Sequence, residues 1–262
     1  MGRERGLLAV HAHPDDESLF TGGVLAQHAA EQIPTAVVTC TDGEIAEGTP
    51  YAPSGTRAKE LAQALTVLRA GEPDILRHRD SGPAGRGPGS LCEVPFDTLV
   101  AELVVRIRRL RPTAVTTYDA FGVSGHPDHV RVHRAVLAAV EAAAHAQLQP
   151  DAGPPWAVHS VWLATLPESL VRQLTELGME IPLPFTPDER ISAAVDVRPW
   201  LDVKWEAIRA HASEFERGAR IAAFEEPRLR RLCLGTEWFL HRPGPGARRS
   251  GHSRPRLLAD QI

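Results

Sequence analysis

The chain has 262 residues, 43 % of them hydrophobic and 24 % charged, enough to bury the core of an ordinary globular domain. Its formal net charge of -4 gives no general drive toward nucleic acid or an anionic membrane, so neither is an expected partner. No apolar run approaches the ~20 residues that span a bilayer, and the three scattered cysteines, Cys40, Cys92 and Cys233, form no CxxC pair and suggest no disulfide framework.

Leu7–Val10 is too short for a secretory leader, which makes a reducing cytoplasm the expected compartment. Leu7–His11 and Thr35–Thr41 read as buried strands. Between them Leu19, Val24, Leu25 and His28 suit one helix, in which Gly22-Gly23 either permits close packing or weakens the helix. Thr56–Arg69 is predicted helical, with Leu61, Leu65 and Leu68 on one face, and Pro73–Arg77 is a short strand. Residues 80–94 contain Ser-Gly-Pro-Ala-Gly-Arg-Gly-Pro-Gly, which cannot hold a helix and reads as an exposed functional loop or lid. Pro95–Leu110 follows as a helix and Thr113–Tyr118 as a strand.

A long helix is predicted from Pro127 to about Gln147, with proline at a favourable first position. Val158–Thr165 and Ile191–Val197 are further strands, and Pro199–Glu216 is another helix. The expected architecture is α/β, a single domain over 1–240 with a mostly parallel sheet flanked by helices. The Arg-, Gly- and Pro-rich residues 241–262 form a C-terminal extension, expected to be a flexible tail.

Two acidic histidine motifs stand where a strand gives way to a helix. The first is His13-Pro-Asp-Asp-Glu17, and the second is Gly125-His-Pro-Asp-His129. In parallel sheets ligands gather beyond the carboxyl ends of strands, where both motifs fall. Imidazole and carboxylate suit zinc, and a catalytic site needs about three protein ligands and an open position. His13, Asp16 and His129 can supply that set for Zn2+. Asp15 is then left beside the metal as general base. His126 remains for an electrophilic or general-acid role, with Asp128 to orient it or fix its protonation. Each motif alone could be a helix cap matched to the helix dipole. Two caps at two strand ends need not assemble metal ligands, and Glu17 reads as an ordinary first-turn residue.

This pair of motifs resembles the PIG-L/LmbE-like family of zinc-dependent N-deacetylases, over residues 7–140 and more loosely to about 240. It looks especially like the actinobacterial branch that acts on mycothiol precursors and conjugates. Further matches are Val38-Thr-Cys-Thr-Asp-Gly-Glu44, Arg57-Ala-Lys-Glu-Leu61, Arg79-Asp-Ser-Gly82 and Leu110-Arg-Pro112 leading to Thr117-Tyr-Asp119. The resemblance implies a Rossmann-like sheet, zinc on His13, Asp16 and His129, Asp15 as base, and His126 on the oxyanion with Asp128 behind it. It also implies that Arg57 and Asp80 hold polar groups of a glycoside. The chain departs from the pattern at Ser124, where the mycothiol-precursor deacetylases have an aromatic hydroxyl residue.

The expected reaction is removal of an N-acetyl group from a small N-acetylglucosamine-type amino sugar or glycoside, releasing acetate and amine. A homo-oligomer is compatible with this reading. Alternatives with the same chemistry are a mycothiol S-conjugate amidase or a deacetylase of a secondary-metabolite glycoside. From other classes come a non-catalytic binding module and a nucleotide-binding α/β protein. The last is disfavoured because neither GxGxxG nor GxxxxGK[ST] occurs at the first turn, whose three acids would repel phosphate.

Overall fold

A strand buried on both faces belongs in the interior of a sheet covered by helices. Three strands of this chain meet that description: β1 (Leu7–His11), β4 (Ala114–Tyr118) and β5 (Ser160–Thr165) are buried throughout. The computed structural model describes residues 6–45, 53–179, 183–217 and 222–247. Among these residues the remaining strands are β2 (Thr35–Ile45), β3 (Asp74–Asp80), β6 (Ala193–Asp196) and β7 (Thr236–Pro243). They form one sheet in the order β3-β2-β1-β4-β5-β7-β6. The first five run parallel, and β7 is antiparallel to both β5 and β6.

The strand order reverses between β1 and β4, which pair directly from Leu7–Ala114 to Ala9–Thr116. From β1 the chain proceeds to β2 and β3; from β4 it moves the other way to β5. Right-handed crossovers in opposite directions put helices on opposite faces. Accordingly α4 (Phe96–Leu110) packs on α6 (Pro127–Ala143). On the other layer, α8 (Leu201–Ala210) packs on α2 (Gly22–Ala30) and α3 (Thr56–Leu68). Leu61, Leu65 and Leu68 of α3 are almost fully buried, as their spacing predicts.

The expected helix through Leu19–His28 is instead two, α1 (Asp16–Phe20) and α2, meeting at Thr21. Thr21 turns away from the helix because its hydroxyl donates to the Glu17 carbonyl at 3.0 Å and contacts His11 Nε2 at 3.0 Å. Gly23 permits close packing: a Cβ there would stand 2.3 Å from Val197 Cβ. The N-terminus of α2 is held from far along the chain. Glu237 on β7 accepts from Gly23 N at 2.7 Å and Val24 N at 3.0 Å, and pairs with buried Lys204 at 2.7 Å.

The helix expected over Pro199–Glu216 is also broken. A 3-10 turn (Arg198–Trp200) leads into α8, and α9 (Ala212–Arg217) starts after a corner at His211. Helix α6 stops at Ala143, short of Gln147, because the buried Arg108 gathers the carbonyls beyond it. Its guanidinium donates to Ala143 O at 3.1 Å, His145 O at 2.8 Å and Leu148 O at 2.7 Å.

Strands β2 and β3 run longer than predicted, to Ile45 and Asp80. Residues 80–94 are irregular as expected but anchored, with Asp80–Gly82 buried and a bridge between Arg79 and Ser90. Residues 241–243 of the expected tail lie in β7, and Gly244 and Gly246 donate to His159 O and Val158 O. The rest of that tail, from 248, lies outside the described residues. No helix among the described residues is long and apolar enough to cross a membrane.

Candidate metal centre and active site

The turn after β1 is pinned at its start, at Ala12. Thr41 N and Thr41 Oγ1 donate to the Ala12 carbonyl at 2.8 and 2.9 Å. Asp15 then takes φ 129° and ψ -29°, a left-handed conformation costing of the order of 1–3 kcal/mol in a non-glycine residue. That conformation lets Asp15 and Asp16 leave the turn in different directions. The second motif follows β4 by way of the short α5 (Gly122–Gly125), in which Val123 is another strained residue, at φ 58° and ψ -52°. Gly122 precedes it at φ 68°, where a Cβ would stand 2.6 Å from His129 Cβ.

The structure brings His13, Asp16 and His129 together. His13 Nδ1 lies 3.1 Å from His129 Nε2, His13 Nδ1 lies 3.4 Å from Asp16 Oδ2, and His129 Nε2 lies 3.4 Å from Asp16 Oδ1. A tetrahedral ion with bonds of about 2.0–2.1 Å requires ligand edges of about 3.3–3.4 Å.

The tautomers agree with that fit. His13 Nε2–H points at Asp128 Oδ2 at 3.1 Å, and His129 Nδ1–H donates to Gly122 O at 2.9 Å. Both remaining ring nitrogens then face each other and the Asp16 carboxylate with lone pairs only. A proton on His13 or a bound cation resolves that contact, and the hydrogen bonds behind each ring hold it in place. Burial would depress the His13 pKa, but Asp128, Asp16 and Asp80 together hold it well above the ordinary histidine value. Burial would raise Asp16, but His129 and His13 hold it well below the carboxylate range.

Tyr118, at the end of β4, was not among the expected site residues. Its hydroxyl donates to Asp16 Oδ2 at 2.6 Å and accepts from Ala12 N at 2.5 Å. Its ring stacks on His129 at 4.2 Å with an interplanar angle of 5°. The signal available in sequence was only that a strand ending in tyrosine runs into the second motif.

Asp15 stands apart from these ligands, half-buried beside Arg57. Its pKa rises to about 7 through burial and the nearby Asp16 and Glu214 charges, against the pull of Arg57. Arg57 Nη2 lies 3.4 Å from Asp15 Oδ1 and donates to Pro14 O at 2.5 Å; Nη1 lies 3.4 Å from Glu214 Oε1. Arg57 is therefore buried against the carboxylate expected to be the base, rather than presented as a free surface cation. Glu17 is more than a first-turn residue: fully buried, it accepts from Asp15 N at 3.0 Å and pairs with His211 Nε2 at 2.8 Å.

His126 caps α6, its Nδ1 accepting from Asp128 N at 3.2 Å, so the proton of the neutral ring is on Nε2. Burial, then the nearby His13 and His129, bring its pKa down to about 4, leaving a neutral donor at neutral pH. Asp80 Oδ1 is 3.8 Å from His126 Nε2 and 3.5 Å from His13 Nε2.

One expectation is corrected here. The Asp128 carboxylate does not orient His126, because it is used up on His13, Ser81 N at 2.9 Å, Ser81 Oγ at 2.5 Å and Cys92 Sγ at 3.2 Å. As the first-turn residue of α6 it points back toward β3 and the first motif. Ser124 Oγ stands 3.4 Å from His129 Nδ1, behind the ring. His13, Asp80, His126 and Asp128 also cluster, and His126 joins His13 and His129. In the first cluster, however, His13 Nε2 carries the proton shared with Asp128, so its free lone pair faces His129 and Asp16.

Known proteins resemble this chain in sequence and in fold. The family described as "GlcNAc-PI de-N-acetylase" matches residues 8–140. A 1D-myo-inositol 2-acetamido-2-deoxy-alpha-D-glucopyranoside deacetylase of Rhodococcus jostii (strain RHA1) is 42 % identical, over 80 % of this chain and 82 % of its own. An enzyme of the same description from Geodermatophilus obscurus is 37 % identical over 91 % of this chain and 92 % of its own. The fold matches N,N'-diacetylchitobiose deacetylase from Pyrococcus horikoshii with a TM-score of 0.67, covering 91 % of this chain and 84 % of that one, at 19 % identity. With the matched segment carrying both histidine motifs and relatives aligned along most of its length, this chain belongs to the PIG-L deacetylase family.

Proposed function

We propose that the protein is a zinc-dependent hydrolase that removes the N-acetyl group from an N-acetylglucosamine-type glycoside. The inositol glycoside named for the Rhodococcus relative is its first candidate substrate. The observation that carries this reading is the convergence of the lone pairs of His13 and His129 on Asp16, with a separate carboxylate, Asp15, beside them. Bound zinc would supply Lewis-acid polarisation of the amide carbonyl and would acidify water.

The chain's own residues account for the proton and charge movements. Asp15 takes a proton from the attacking water on its carboxylate and returns it to the amide nitrogen as the C–N bond breaks. A carboxylate with a pKa near neutrality can do both. His126, neutral and protonated on Nε2, donates a hydrogen bond to the oxygen that gains charge in the tetrahedral intermediate. Of the two expected recognition groups, Asp80, beside His126, is the one proposed to meet a sugar hydroxyl, whereas Arg57, buried behind Asp15, acts on the substrate only through that carboxylate.

The test is amine release from the N-acetylglucosaminyl inositol by metal-loaded protein. Asp15→Asn should lower kcat/KM by about 10²–10⁴-fold while keeping zinc by elemental analysis, and His13→Ala should lose the metal. Full activity of Asp15→Asn would remove the base from this assignment.

A further inference from the structure

We infer that a second binding site, for the acyl part of the substrate, adjoins the metal centre and accepts N-acyl chains longer than acetyl. The inference rests on the amide-hydrolase reading above.

A cavity of about 260 Å³ lies against the site, and Phe20, Val123 and Ser124 belong to its wall. Phe20 and Ser124 also touch His129. The Phe20 ring lies 6.1 Å from the His129 ring, edge to face, and Ser124 Oγ stands 3.4 Å from His129 Nδ1. Val123 is 2 % exposed despite its strained backbone. Beyond them the wall is apolar: Leu166 after β5, Leu170 and Leu174 on α7 (Glu168–Glu176), and Leu234 at the end of α10 (Pro227–Leu234). The charged residues in the wall, Lys204 and Glu237, are paired with each other at 2.7 Å.

Two parts of an N-acylated amino sugar have to be seated about the metal centre, a polar ring and an acyl substituent. The polar groups Asp80 and His126 lie together beside His13, and the apolar cavity meets His129 through Phe20 and Ser124. Chemistry assigns the sugar to the first and the acyl chain to the second. A methyl group would leave most of the cavity empty, since a void of about 150 Å³ already accommodates benzene. Ser124 lies between the cavity and His129, and its short side chain leaves more room there than an aromatic residue would. The reaction is unchanged by chain length. Water oxygen bonds to the acyl carbon and the C–N bond breaks. One water proton reaches nitrogen through Asp15, the second follows as the acid ionises, and carboxylate and amine are released.

The experiment compares N-acetyl-, N-butyryl- and N-hexanoyl-glucosamine as substrates of the metal-loaded full chain, with primary amine release measured. Each buried methylene should raise kcat/KM by about two- to fourfold, so hexanoyl should exceed acetyl at least tenfold. Ser124→Tyr, which narrows the entrance, and Leu170→Trp, which fills the cavity, should each reduce the hexanoyl-to-acetyl ratio by at least fivefold. The unaltered protein alone suffices if a variant fails to fold. Acetyl hydrolysis with a flat or falling series would overturn the acyl site and leave the deacetylase reading standing. No hydrolysis of any of the three, nor of the inositol glycoside, would overturn both.

Discussion

Tyr118 holds two of the three candidate ligands at once, Asp16 through its hydroxyl and His129 through its ring. Removing the hydroxyl leaves Asp16 Oδ2 held by the His13 amide alone, while the stacking stays. Tyr118→Phe should therefore weaken zinc binding by about 10–100-fold, read by competition with a chromophoric chelator, with little change in far-UV circular dichroism. Unchanged affinity would reduce the tyrosine to a packing role. Asp128 is expected to act through His13 in the same way. Asp128→Asn should also lower metal affinity by about 10–100-fold, whereas a partner of His126 alone would leave affinity unaltered. The candidate ligands could be named from the two motifs, because imidazole and carboxylate spacing reports chemistry directly. The partners behind them were not, because Tyr118 and Ser81 reach the site through pairings more than 40 residues apart along the chain.

At the scale of elements, periodicity located the strands and helices as far as β6 and α8 but missed the corners, and it missed α7, α10 and β7 altogether. Thr21 and His211 interrupt helical patterns because each has a distant polar partner: His11 for Thr21, and Glu17 for His211. The second corner has a purpose for the site. It swings α9 back so that Glu214 reaches Arg57 and Ser213 reaches Glu60 on α3. The regular part of α3 contributes stability instead. Leu65→Ala should destabilise by about 2–5 kcal/mol in urea unfolding, with the zinc affinity of the folded protein unchanged. The Lys204–Glu237 pair joins α8, β7 and the start of α2. Lys204→Met leaves a buried carboxylate unpaired and should cost about 3–5 kcal/mol by the same measurement.

For the whole molecule, the decisive feature is the reversal of strand order between β1 and β4. Helices leave these neighbouring strands toward opposite faces, and a crevice opens between their carboxyl ends. The first motif follows β1 and the second follows β4, so the crevice collects ligands from chain segments 116 residues apart. A metal bound there ties the two halves of the sheet together and should stabilise the folded state by mass action. At zinc about 100-fold above Kd the gain is about 2.7 kcal/mol, seen as a rise in Tm that a chelator reverses. A Tm indifferent to zinc and chelator would place metal binding outside this crevice.

The sequence by itself determined the chemistry: two motifs with metal-ligand residues, a carboxylate to spare, and an α/β alternation that puts both at strand ends. These are local properties, expressed over a few residues, where side-chain type and periodicity carry the information. Only the tertiary structure decided which strands are neighbours, that Asp128 serves His13 rather than His126, that Arg57 is buried against Asp15, and that Tyr118 completes the site. It also placed an apolar cavity beside His129, drawing its wall from five separate parts of the chain. Such contacts depend on packing between distant segments, and no local pattern encodes them.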